Sequence, residues 1–68
     1  MHVIIDLHGV KHENVERILH SACLEHNPPF IVITGKSDDM KRLVAQAVKP
    51  LGLSVRDTYN NSGRVVIE

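Results

Sequence analysis

An acid and a histidine stand two residues apart in Asp6-Leu7-His8-Gly9, and a lysine follows a glycine in Thr34-Gly35-Lys36-Ser37. Residues two apart on an extended strand point to the same side, so the Asp6 carboxylate and the His8 imidazole can cooperate. The carboxylate can orient the ring or stabilise its charged form, which is what general acid–base chemistry needs. Gly35 and Lys36 just before a helix offer backbone N–H groups, the positive end of a helix dipole and a cation to an anion such as phosphate. An acid–histidine pair beside an anion-binding loop suits phosphodiester cleavage.

These segments need elements to hold them, and hydrophobic periodicity supplies the elements. Val3-Ile4-Ile5 is a β-branched run ending at Gly9 and reads as a buried strand. Val15, Ile18, Leu19, Ala22 and Cys23 repeat at the spacing of an amphipathic helix, which Asn27-Pro28-Pro29 stops. Its start is weakly marked, because Lys11 stands where a capping Ser, Thr or Asp is expected. Phe30-Ile31-Val32-Ile33 is a second buried strand. Met40, Leu43, Val44, Ala47, Val48 and Leu51 form a second helical stripe, capped by Ser37 or Asp38 and closed by Pro50 and Gly52. Leu53 to Asp57 and Arg64 to Ile67 read as two strands joined by Tyr59-Asn60-Asn61-Ser62-Gly63.

The order β-α-β-α-β-β predicts an α/β two-layer sandwich with a mixed, mostly parallel sheet. Two strand–helix–strand crossovers run the first three strands parallel, and a closing hairpin adds one antiparallel strand. Two helices cover one sheet face, which leaves the other open as a partner surface for a second copy or a larger protein. Ligands gather where loops leave the carboxyl ends of parallel strands. Both chemistry-bearing segments fall at that edge, so the site is expected there.

Other residues receive blander readings. Gly35-Lys36-Ser37 has the ending of a nucleotide-binding Walker loop, but Phe30 stands where its earlier glycine belongs. Asp6, His8 and His12 lie close in sequence without a strong zinc spacing, so no metal or other cofactor is assigned, though a divalent ion is compatible with phosphodiester chemistry. Cys23 sits on an apolar stripe and reads as core; His20 and His26 read as solvated helix-surface residues. Lys41, Arg42, Arg56 and Arg64 are scattered basic residues, of which Arg64, following the glycine turn, is the best candidate to join the site. Phe30 reads as core, and Tyr59 could stack on a base.

Sixty-eight residues make one domain with a small core. Eight basic and eight acidic residues cancel, so no broad basic face is advertised and any nucleic-acid contact must be local. One cysteine cannot pair internally, no leader-like segment opens the sequence, and no apolar run is long enough to span a membrane. The expected compartment is the cytoplasm.

The strand-borne Asp6-Leu7-His8-Gly9 resembles the Leu-Asp-Leu-His-Gly motif of Smr (small MutS-related) domains. Ile33-Thr34-Gly35-Lys36-Ser37 is similar to the His-Gly-x-Gly or Thr-Gly-x-Gly loop those domains carry after their next strand. Asn61-x-Gly63 followed by Val65-Val66-Ile67 looks like the family's glycine-bearing turn and last strand, so the resemblance covers residues 1–68 as a single, minimal Smr-like domain. It implies a fold like the C-terminal domain of translation initiation factor 3. It also implies nucleic-acid binding, to RNA or DNA, with endonuclease activity in many members. By position, Asp6 and His8 are then the catalytic pair, and Thr34, Gly35 and Lys36 line a phosphate; Gly9, Ser37 and Arg64 are added to that phosphate site from their own places in the two loops and after the glycine turn. Single-stranded or structured RNA is slightly favoured over DNA. The chain departs from the pattern at Ser37, where the loop's second glycine stands, and at Ile5, where a leucine does.

Overall fold

The structure, a computed structural model, describes residues 3–58 and 61–68, with the backbone alone for residues 61 and 62. In chain order the elements are β1 (Ile4–Asp6), α1 (His12–Glu25), β2 (Phe30–Ile33), α2 (Asp38–Val48), a short 3-10 turn (Lys49–Leu51), β3 (Val55–Thr58) and β4 (Asn61–Ile67). This is a small α/β fold with a four-stranded mixed, open sheet and two helices.

The strands lie side by side in the order β1-β2-β4-β3. β1 and β2 are parallel, while β4 runs antiparallel to both of its neighbours, β2 and β3. The first three strands therefore point the same way, as the crossovers require. The last strand, the antiparallel one, inserts between β2 and β3. Two of the three ladders are antiparallel, so the sheet is mostly parallel in strand direction and not in pairing. The reason is covalent: the short β3–β4 link holds these strands together, whereas the β2–α2–β3 crossover leaves room for a strand between its ends.

Alternation sorts the sheet into two faces. Phe30 and Val32 of β2 and Val65 and Ile67 of β4 are almost fully buried under the helices. There they meet Val15, Leu19 and Ala22 of α1 and Met40, Val44, Ala47 and Val48 of α2, with Leu7 beside them. Burying a side chain of this kind is worth roughly 1.5–3 kcal/mol, and this single cluster is the core. Between these residues, Ile31, Ile33 and Val66 are only half-buried on the opposite face, and Ile4 is 51% exposed. Two cross-strand rows run over that face: Ile4–Ile31–Val66–Arg56, and Asp6–Ile33–Arg64.

The helix ends follow their chemistry. Ser37 caps α2, its Oγ accepting the Met40 N–H at 3.1 Å, and Asp38 and Asp39 occupy the first turn. Lys11 before α1 makes no side-chain cap. The second helical stripe tightens into the 3-10 turn after Val48, ended by Gly52 at φ +77°. That change of pitch takes Leu51 out of the core, to 45% exposure, against the expectation from its spacing. His20 also departs from its solvated reading: it is half-buried, and its Nε2 lies 3.2 Å from the Ala47 carbonyl, tying α1 to α2. Cys23 is half-buried at the core's margin, and desolvation raises its thiol pKa. The predicted turn before β4 is shorter than expected, because β4 already begins at Asn61; Tyr59 and Asn60 lie outside the described residues.

Candidate functional site

Leu7, fully buried, anchors the first loop to the core, and its N–H donates to the Ile33 carbonyl at 2.9 Å. The chain then reverses through His8-Gly9, closed by Val10 N–H to the Leu7 carbonyl at 3.0 Å. Gly9 holds φ +80°, a left-handed conformation that a residue with a Cβ adopts at a cost. The strand has ended by this point, so alternation no longer relates Asp6 to His8. Instead the Asp6 Oδ1 accepts the His8 main-chain N–H at 2.9 Å, a local turn of the kind aspartates make with the residue two on. The carboxylate thus fixes the loop that carries the ring. Both side chains are exposed.

The second loop is fastened at the other strand of the sheet. Thr34 is 3% exposed, and its Oγ1 donates to the Gly35 carbonyl at 2.8 Å. The Thr34 and Gly35 N–H groups both donate to the Gly63 carbonyl at 2.9 Å, with Thr34 Oγ1 within 3.4 Å of the same oxygen. Gly63 thereby locks the end of β2 onto β4. The sequence reading gave Gly63 only a turn; its carbonyl is the organising acceptor, signalled in sequence by nothing beyond the glycine itself. Gly35 sits at φ +69°, whereas Ser37 has φ −87° and needs no glycine. The Ser37 side chain instead caps the helix that follows.

The two loops converge. A Cβ placed on Gly35 would lie 3.6 Å from Cδ2 of the His8 ring. His8 therefore packs its imidazole edge against the glycine of the second loop, at the carboxyl ends of two neighbouring parallel strands. Lys36 follows immediately and is exposed. Arg64 is opposite Ile33, which is opposite Asp6, so the guanidinium rises from the same face as Asp6, two strands away. Among the described residues neither Lys36 nor Arg64 is held in an ion pair. The other basic candidates are engaged elsewhere: Lys41 with Asp57 at 3.7 Å, Arg42 with Asp39 at 3.8 Å, and Arg56 with Glu68 at 3.1 Å.

Electrostatically the edge is divided. Lys36, Arg64 and the start of α2 favour an anion, but Asp38 and Asp39 in the first helical turn oppose one approaching directly along the axis. The Thr34 and Gly35 N–H groups are committed to the Gly63 carbonyl and are not offered to an anion. Among the described residues no three His, Cys, Asp or Glu side chains converge in a group able to hold a metal ion, and His12 opens α1 apart from any such set. No described helix is long and apolar enough to cross a membrane.

Comparison with known proteins adds no relative: no family model, no curated protein and no solved structure matches the chain.

Proposed function

We propose that this chain is an Smr-type nucleic-acid-binding domain, with a fold of the kind found in the C-terminal domain of translation initiation factor 3. It holds a backbone phosphate at the carboxyl edge of β1 and β2. The observation that carries the reading is the meeting of the two loops, with the His8 ring against Gly35. Lys36 and Arg64 supply the positive charge, as point contacts rather than a broad basic face, which fits a chain of zero net charge. Gly9, Gly35 and Thr34 shape the loops, and Ser37 orients the helix end. RNA is preferred over DNA, since splayed single strands suit a small local site. With its lone Cys23 unpaired, the protein belongs in a reducing compartment, the cytoplasm.

His8 is the group able to transfer a proton at the bound phosphodiester, accepting one from the attacking hydroxyl or supplying one to the leaving oxygen. A second reading, binding without turnover, is favoured by one specific observation. Asp6 Oδ1 accepts the His8 main-chain N–H, and among the described residues no hydrogen bond joins the Asp6 carboxylate to the ring. End-labelled RNA and nicked-plasmid assays, with and without divalent metal, decide between the two. Cleavage by wild type that His8→Ala abolishes is expected for the nuclease; an identical background for both leaves the binding module alone. A salt titration of affinity tests the shared claim. Binding must weaken with salt, and Lys36→Ala must flatten that dependence; salt-independent or absent binding would overturn the reading.

A further inference from the structure

Among the described residues no strand pairs with the outer edge of β1, and we infer that this edge is a self-complementary surface that joins two copies of this chain through β1 and α1. Along β1 the main-chain groups alternate. Val3 and Leu7 bond to β2, through Ile31 N–H to the Val3 carbonyl at 3.0 Å and Leu7 N–H to the Ile33 carbonyl at 2.9 Å. The N–H and C=O groups of Ile4 and Asp6 therefore point outward, symmetrically about Ile5. Such a row is a template on which another strand can pair.

Beside this edge runs a groove of about 270 Å³ between β1 and α1, floored by Ile5, Ile18 and Ala22 and bordered by Arg17, Ser21 and Glu25. Arg17, Ser21 and Glu25 are successive positions on one side of the helix, a basic residue four before Ser21 and an acidic one four after. A two-fold axis through Ile5 and Ser21 pairs β1 antiparallel with the partner's β1. It sets Ile4 opposite the partner's Asp6 in the ladder, and Arg17 opposite the partner's Glu25. Each charge pair then occurs twice. The two helices lie side by side on one face of a continuous sheet, where helices pack roughly 8–10 Å apart.

Among the described residues these charges have weak local partners. Arg17 Nη2 donates to Asn14 Oδ1 at 3.2 Å, and Glu25 lies 3.9 Å from His26 Nε2. Because the pairing is antiparallel, the two His8–Lys36 edges face opposite ends of the joint sheet. Dimerisation thus leaves both sites open and does not depend on the proposed nucleic-acid reading.

The test is solution mass by light scattering and sedimentation over a dilution series of the full chain. Wild type is expected to move from 7.6 kDa toward twice that mass as concentration rises. Arg17→Glu and Glu25→Arg should each weaken association about tenfold or more, because each places like charges together twice in the dimer. The double swap, Arg17→Glu with Glu25→Arg, restores the opposite pairs and should restore association. Both positions are exposed, and circular dichroism establishes that each variant is folded. A chain that stays monomeric throughout overturns the inference. A dimer indifferent to both reversals, or one that the swap fails to restore, overturns it equally.

Discussion

Asp6 and His8 meet through the main chain, and that separates the effects expected of their substitutions. His8→Ala removes the imidazole at the loop junction while leaving the Asp6 contact to its N–H intact. On the nuclease reading proposed above, RNA cleavage should fall to background with folding unchanged, as read by gel assay beside a thermal melt. Asp6→Ala removes the acceptor and loosens the loop instead, at about 1 kcal/mol for one exposed hydrogen bond. If cleavage depends on ring position, Asp6→Ala should lower it partially while Asp6→Asn, which keeps an acceptor oxygen, recovers much of the loss. Gly35→Ala meets no clash, since its Cβ would rest 3.6 Å from His8. It carries the left-handed penalty at φ +69°, about 1–2 kcal/mol, and should lower the melting temperature. At Cys23 burial raises the thiol pKa, so the thiolate is scarcer at neutral pH and alkylation should be slower than for a free thiol, speeding up as pH rises.

At the scale of elements, α2 shows how a departure from a motif is accommodated. Ser37→Ala should cost about 1 kcal/mol by removing the Met40 N–H acceptor, and Ser37→Gly only a few tenths, as denaturant melts would show. The elements themselves were legible in the sequence because period is a local signal. Phe30-Ile31-Val32-Ile33 read as a strand, and Ser37 was one of two offered caps, with Asp38, of which the structure uses Ser37. Strand order was not legible, because β4 reaches its place between β2 and β3 through long-range ladders that leave no trace in local pattern. The same limit hid the relation of Asp6 to His8. Two-residue alternation holds inside a strand, and β1 stops at Asp6, so the turn re-aims His8 toward Gly35. Leu51 and His20 were misjudged for a related reason. A change of helical pitch and a contact across to the other helix lie beyond what spacing encodes.

For the whole molecule, a single cluster under one sheet face carries the stability. Leu19→Ala, at its centre, should cost about 2–5 kcal/mol, a large share of what so small a domain possesses. Leu51→Ala, outside it, should be nearly neutral, and paired melts of the two variants would check the contrast. Because that cluster lies on one side, the carboxyl edge of β1 and β2 stays uncovered, with His8, Lys36 and Arg64 around it. Occupation of this edge by a nucleic-acid phosphate is the central claim, and a titration of isotope-labelled protein with short single-stranded RNA, followed by amide chemical shifts, tests it most directly. The account predicts that the largest shifts fall on His8, Gly9, Lys36, Ser37 and Arg64 and diminish as salt is raised. Shifts confined to the α1 face around Leu24, or no shifts at all, would contradict it.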